Sequence, residues 1–233
     1  EFRRVLFRSK SKGGTFMPVK LMRETFRLSF GEEVGNAVSH GVMAVLCLFS
    51  LPAFAVYSYA MQGIVRSLGT SIYLISMFFM FLISTIYHSM PYGSQQKYVF
   101  RKLDHIAILF AIAGSYTPVC LCMIQGSIGI LILIIEWSMV FAGVLLKAIA
   151  KKSYPKLSVT IYMIMGWCAV LFLPALIAKA NALFLIFIVL GGIMYTIGVI
   201  FYSQPKHPYF HFIWHLFINL ASIFHFVALI FFI

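Results

Sequence analysis

Apolar runs about as long as a bilayer core is thick recur along almost the whole chain, and they limit the fold more than any motif does. They fall at about 34–58, 67–88, 103–123, 127–147, 157–178, 181–202 and 209–231 of the 233 residues. Roughly 20 apolar residues are what an α-helix needs to cross a hydrocarbon core. Hydrophobic residues make up 62% of the chain and charged residues 10%, whereas a soluble domain carries about 25% charged residues. Nothing is left over for a soluble domain. The expectation is an all-α polytopic membrane protein, a seven-transmembrane-helix bundle occupying 34–233. Proline inside the runs, at Pro52, Pro118 and Pro174, is tolerable in membrane helices and marks places for kinks.

Residues 1–16, EFRRVLFRSKSKGGTF, fit the rest poorly. They hold five basic residues and no initiating Met, and Met17 is a natural start, so they read as a non-native or disordered leader. No apolar core of signal-peptide length follows their arginines. Residues 17–33, including KLMRETFRLSFGEE, read as an amphipathic interfacial segment.

The net charge of +12 does not indicate a nucleic-acid partner, because Lys and Arg sit between the apolar runs. The N-terminal segment and the loops after the second, fourth and sixth runs hold sixteen of the eighteen; Arg66 and Lys179 hold the opposite side. The positive-inside rule then places the N-terminus in the cytoplasm and the C-terminus outside. Cys47, Cys120, Cys122 and Cys168 show no disulfide-like framework and read as small apolar residues.

This topology brings the polar residues of four runs to one leaflet. Glu33, Asn36 and His40 open the first run on one helix face. Ser29 with Glu32 is a capping box, and an acid in the first turn favours the helix dipole, which accounts for the acids but not for His40. Ser84 and His88 close the second run. Asp104 opens the third, with Arg101 and Lys102 as surface partners; Ala107, Ala111 and Ser115 continue its face in small steps that suit close helix packing. Asp104 therefore points inward, where an ionised group costs about 2.5–3.5 kcal/mol without a partner. The last run carries His207, His211, His215 and Asn219 at four-residue spacing. His207 precedes Pro208 and reads as a loop residue, and Asn219 as a helix-to-helix hydrogen bonder. His225 lies too far along and is structural. Glu136, in the middle of the fourth run, is a buried acid without an evident partner.

Histidines four apart on a helix reach one metal ion, although single histidines at helix ends are commonly interfacial. His88, His211 and His215 with an open fourth position form the ligand set of a catalytic zinc, and oxygen-rich ligation for Mg²⁺ or Ca²⁺ is not on offer. Zinc would lower the pKa of its water to about 7. Asp104 can accept the proton or orient an imidazole. Haem is the competing use of paired membrane histidines, but Asp104 and Ser84 suit a polar hydrolytic site better.

These residues carry a resemblance. Glu33, Asn36 and His40 match a Glu-x2-Asn-x3-His motif, Ser84, His88 and Asp104 a Ser-x3-His…Asp motif, and His211 and His215 a His-x3-His motif. With GSYTPV at 114–119 and Gly166-Trp167, the chain resembles the hemolysin III family over about 30–231. That family is the bacterial branch of the progestin and adipoQ receptor superfamily, related to alkaline ceramidases. The resemblance implies seven helices, an inside N-terminus, and zinc on His88, His211 and His215. It also implies Asp104 as general base, with Ser84 holding the site or the oxyanion. Glu33, Asn36, His40 and Asn219 would stand around the ligands. The implied activity is hydrolysis of a lipid amide or control of membrane lipids, in a resident multi-pass protein of the bacterial inner membrane. A channel-forming cytolysin and a zinc-fastened sensor or receptor are the alternatives. Membrane lipids are the expected partners, and self-association is compatible with all three.

Overall fold

A computed structural model describes residues 27–149 and 155–233, so the leader and most of the interfacial segment lie outside the described residues. Every regular element among the described residues is helical. In chain order they are α1 (Phe30–Ser89), α2 (Gln95–Pro118), a π-helical turn (Val119–Ile124), α3 (Gly126–Ile149) and α4 (Pro155–Trp167). A 3₁₀ turn (Cys168–Phe172), α5 (Leu173–Ile177), α6 (Ala182–Tyr202) and α7 (Phe210–Phe231) complete the order. Among the described residues, six helical stretches are long and apolar enough to cross a membrane; the first is α1.

Straight, the 60 residues of α1 would reach about 90 Å, three times a bilayer core. The helix does not run straight. Gln62 (φ −144°, ψ 21°) and Gly63 (φ 74°, ψ −162°) leave helical geometry. The positive φ at Gly63 is a conformation that only glycine adopts without strain. Beyond the break the chain folds back. Ser58 and Thr70 would stand about 18 Å apart along a continuous helix, yet their hydroxyls meet at 2.8 Å, and the Ser67 hydroxyl donates to the Ala55 carbonyl at 2.9 Å. At the other end of the hairpin, Glu33 meets His88. Two antiparallel arms, 30–61 and 64–89, thus replace one rod.

Local chemistry explains the helix starts. Ser29 and Glu32 make the reciprocal capping box before α1: Glu32 N–H donates to Ser29 Oγ at 3.2 Å and Ser29 N–H to Glu32 Oε2 at 3.0 Å. Ser94 caps α2, which therefore begins well ahead of the apolar run at 103. Asn181 caps α6 through the Phe184 N–H at 2.8 Å.

The GSYTPV stretch is a packing device. A Cβ at Gly114 would meet the Ser76 side chain at 2.6 Å, so the second arm of α1 and α2 approach there as only glycine permits. The Tyr116 hydroxyl is directed at the Met165 and Gly166 carbonyls (3.0 and 3.1 Å) and accepts from the Ala169 N–H at 2.8 Å. It holds the point where α4 gives way to the 3₁₀ turn. Pro118 lacks the N–H of a regular turn, and the π-helical residues follow directly. Pro174 sits in the first turn of α5, where it is tolerated. Large apolar side chains on every spanning helix remain exposed, as lipid-facing surface must. At Gly129 an added Cβ would lie 2.5 Å from the Cys120 backbone oxygen. Gly129→Ala is expected to destabilise by about 1–3 kcal/mol, read as a lower unfolding temperature in detergent; an unchanged temperature would show that this contact yields freely.

Candidate metal centre

Three imidazoles from α1 and α7 come together. His88 closes the second arm of α1, and His211 and His215 lie one turn apart on α7. One ligand nitrogen from each lies within 4.8 Å of the others. The Nε2 atoms of His211 and His215 are 3.2 Å apart. Two nitrogens bound tetrahedrally at about 2.0–2.1 Å from one ion would stand about 3.3–3.4 Å apart, so α7 presents this pair at ligand spacing.

The environment of His88 decides which nitrogen it offers. Its Nδ1 lies 2.7 Å from Glu33 Oε2 and 3.4 Å from Asn36 Nδ2. Its Nε2 is buried and has no hydrogen-bond partner. A carboxylate on one ring nitrogen and a free second nitrogen is the arrangement that orients metal-ligating histidines. Glu33 is itself fixed by Lys97, whose Nζ lies 2.8 Å from Oε1. Lys97 also donates to the carbonyls of Tyr87 and Met90 at 3.2 and 3.1 Å, so one cation caps the second arm and pairs with the acid. Sequence reasoning missed Lys97; the signal available was its position seven residues before Asp104, on the same helix face.

The neighbouring acids Glu32 and Glu33 divide between two tasks. Glu32 closes the capping box and accepts the Tyr209 N–H at 2.6 Å, which ties the entry of α7 to the start of α1. Tyr209 takes up a positive φ of 62° there. His40 stacks on His215, ring centroids 3.8 Å apart, with Phe81 edge-on at 5.0 Å. Asn219 donates to the Ser39 carbonyl at 3.4 Å. Asp104, half-buried, lies within hydrogen-bonding reach of Ser84 and in the field of His88, Arg101 and Lys147. His207 is exposed in the turn before α7 and stacks on Phe210, apart from the cluster. His225 faces the Ile188 carbonyl at 3.3 Å.

Unpartnered buried polar atoms are costly and rare, so their distribution carries information. Among the described residues there are nine, and six belong to this cluster: Asn36 Oδ1, both His40 ring nitrogens, His88 Nε2, His215 Nδ1 and Asn219 Oδ1. The donor set, the 3.2 Å spacing and the free His88 Nε2 fit a metal ion on His88, His211 and His215. No disulfide competes: the four cysteines are free.

Fold and cluster together define an all-helical membrane protein with a buried three-histidine centre. The chain belongs to the haemolysin-III-related family, whose model matches residues 28–226. It is 32% identical over 202 residues to Hemolysin-3 of Bacillus cereus, covering 87% of this chain and 92% of that one. It is 33% identical over 187 residues to the Hemolysin-3 homolog of Bacillus subtilis (strain 168), covering 80% and 87%. The human monocyte to macrophage differentiation factor is 28% identical over 157 residues, 64% of each chain. Glu33→Gln is expected to weaken binding of a divalent transition metal about 10–100-fold, measured by chelator competition on purified protein. Unchanged affinity would remove Glu33 from any role in holding His88.

Proposed function

We propose that this chain is a zinc-dependent hydrolase of membrane lipid amides, resident in the bacterial inner membrane. The observation that carries the reading is the convergence of three imidazoles, one of them aimed by a carboxylate, next to a second carboxylate and a hydroxyl. Three neutral nitrogen donors without a carboxylate among them favour zinc over the oxygen-seeking ions. A zinc held there would supply a Lewis acid for the amide carbonyl and acidify water.

The chain's own residues account for the remaining chemistry. Asp104 takes a proton from the attacking water and returns it to the amine as the C–N bond breaks. Ser84 steadies the Asp104 carboxylate or donates to the oxygen that gains charge. Glu33 keeps the His88 ring in one orientation, and Asn36, His40 and Asn219 fill the surroundings. A substrate that reaches this site comes from the leaflet, so the N-acyl amide of a membrane lipid is the class expected.

The same reading takes each arm of α1 as one span, which makes seven, with the N-terminus cytoplasmic and the C-terminus outside. The fold-back of Ser58 onto Thr70 and the sixteen-to-two distribution of Lys and Arg support it. In a background without native cysteines, a Cys placed at Gln62 should be labelled from outside intact spheroplasts and one at Ser94 only after lysis. The opposite pattern would invert the topology.

A second reading is a channel-forming cytolysin, favoured by the name Hemolysin-3 borne by the Bacillus cereus relative; a third is a sensor in which the metal fastens α1 to α7. Purified protein should contain about one zinc per chain and lose it in His211→Ala. Incubated with mixed membrane lipids, it should release an amine and a fatty acid, seen by mass spectrometry, with Asp104→Ala inactive. No lipid turnover with zinc retained would leave the sensor. Equal leakage of liposomes by wild type and Asp104→Ala, without turnover, would leave the pore.

A further inference from the structure

Two of the remaining unpartnered polar atoms are the two carboxylate oxygens of Glu136. Glu136 stands near the middle of α3 and has 0% of its surface exposed. An acid at that depth in an apolar helix is costly without a partner and marks a functional site by default. The Cys168 thiol at the start of the 3₁₀ turn is its hydrogen-bonding neighbour, and Tyr116 of α2 and Cys120 of the π-helical turn lie within its electrostatic reach. None brings a positive charge, and a thiol is a weak donor that does not replace a hydrogen bond to a carboxylate.

The backbone opposite is irregular. Between Trp167 (φ −92°, ψ 0°) and Phe172 (φ −111°, ψ 12°) the chain leaves α geometry, and Val119–Ile124 is π-helical. Backbone of this kind at membrane depth is tolerated where it is buried in protein or lines a cavity, and carbonyls freed by broken helices serve as cation ligands. Tyr116 takes up part of that capacity at Met165 and Gly166. A buried carboxylate without a charged partner and a broken helix therefore meet away from the three histidines.

We propose that Glu136 and the break at Cys168–Phe172 form a binding site for a small monovalent cation. One carboxylate is neutralised by one positive charge, whereas a divalent ion would leave a net charge in apolar surroundings. Sodium and a proton share this chemistry, and the test separates them.

Thermal unfolding of the full chain in nanodiscs is followed with sodium replaced by choline at constant ionic strength, on either side of neutral pH. Wild type should gain about 3–6 °C at a sodium concentration about ten times the Kd. Glu136→Gln should abolish the gain, while His211→Ala should keep it, so failure of the histidine reading leaves this one standing. A response to pH alone, lost in Glu136→Gln, identifies the occupant as a proton. The proposal is overturned if wild type responds to neither cation, if Glu136→Gln responds like wild type, or if only a thiol-seeking ion such as cadmium stabilises. Because the readout is the cation response, a general loss of stability in Glu136→Gln does not mimic the expected result.

Discussion

The Glu33 carboxylate is the contact on which the interior of this protein depends. One oxygen faces His88 at 2.7 Å and the other faces Lys97 at 2.8 Å. It thereby joins the first arm of α1 to the second arm and to α2. A hydrogen bond to a charged group contributes about 1.5–3 kcal/mol, and stranding one partner of a buried pair costs about 3–5 kcal/mol. Glu33 is half-buried in the first turn of α1, and the cation that meets it is also bound to two backbone carbonyls. The His88 ring inherits its orientation from this chain of contacts.

The far end of the bundle uses charge differently. Arg66 donates to the Ile230 carbonyl at 2.9 Å and Lys179 to the Ile124 carbonyl at 2.6 Å. Each cation satisfies a carbonyl near the end of a helical segment, where the helix leaves acceptors without partners. These are the two basic residues that the charge count assigns to the sparse side. Both are held by backbone. The cations there serve helix ends, while at the histidine end Lys97 serves a helix end and an acid together.

Much of the architecture was legible because lipid permits few alternatives. The apolar runs lie within helices, since backbone polar groups in hydrocarbon must bond internally. The runs did not reveal where α2 begins, because residues 95–102 are too polar to score as a span and their helix depends on the Ser94 cap. The hairpin was visible as a gap between 58 and 67, but its turn at Gln62–Gly63 rests on a glycine that composition alone does not single out. The site divided similarly. Spacing placed His211 beside His215, and Glu33, Asn36 and His40 on one face. The role of Glu33 was obscured because Glu32 and Glu33 both satisfy a first-turn rule, and only the long-range contact to His88 separates them. Lys97 shares a helix face with Asp104, but its partners are tertiary and no spacing names them.

The histidine cluster also bears on how the bundle closes. The first and last elements of the chain meet there through the Tyr209 N–H on Glu32, Asn219 on Ser39, and the stack of His40 on His215. Two of these are single hydrogen bonds, and around them lie six polar atoms whose bonding capacity is unused. Burying unused donors and acceptors works against the folded state, so closure at this seam carries a cost. An ion that accepts lone pairs from His88, His211 and His215 would use the free His88 Nε2 and add a bond between α1 and α7. Anything that binds only the folded arrangement stabilises it by mass action. Whatever chemistry the centre performs, an ion bound there would favour closure of the bundle through a His88 ring that Glu33 orients.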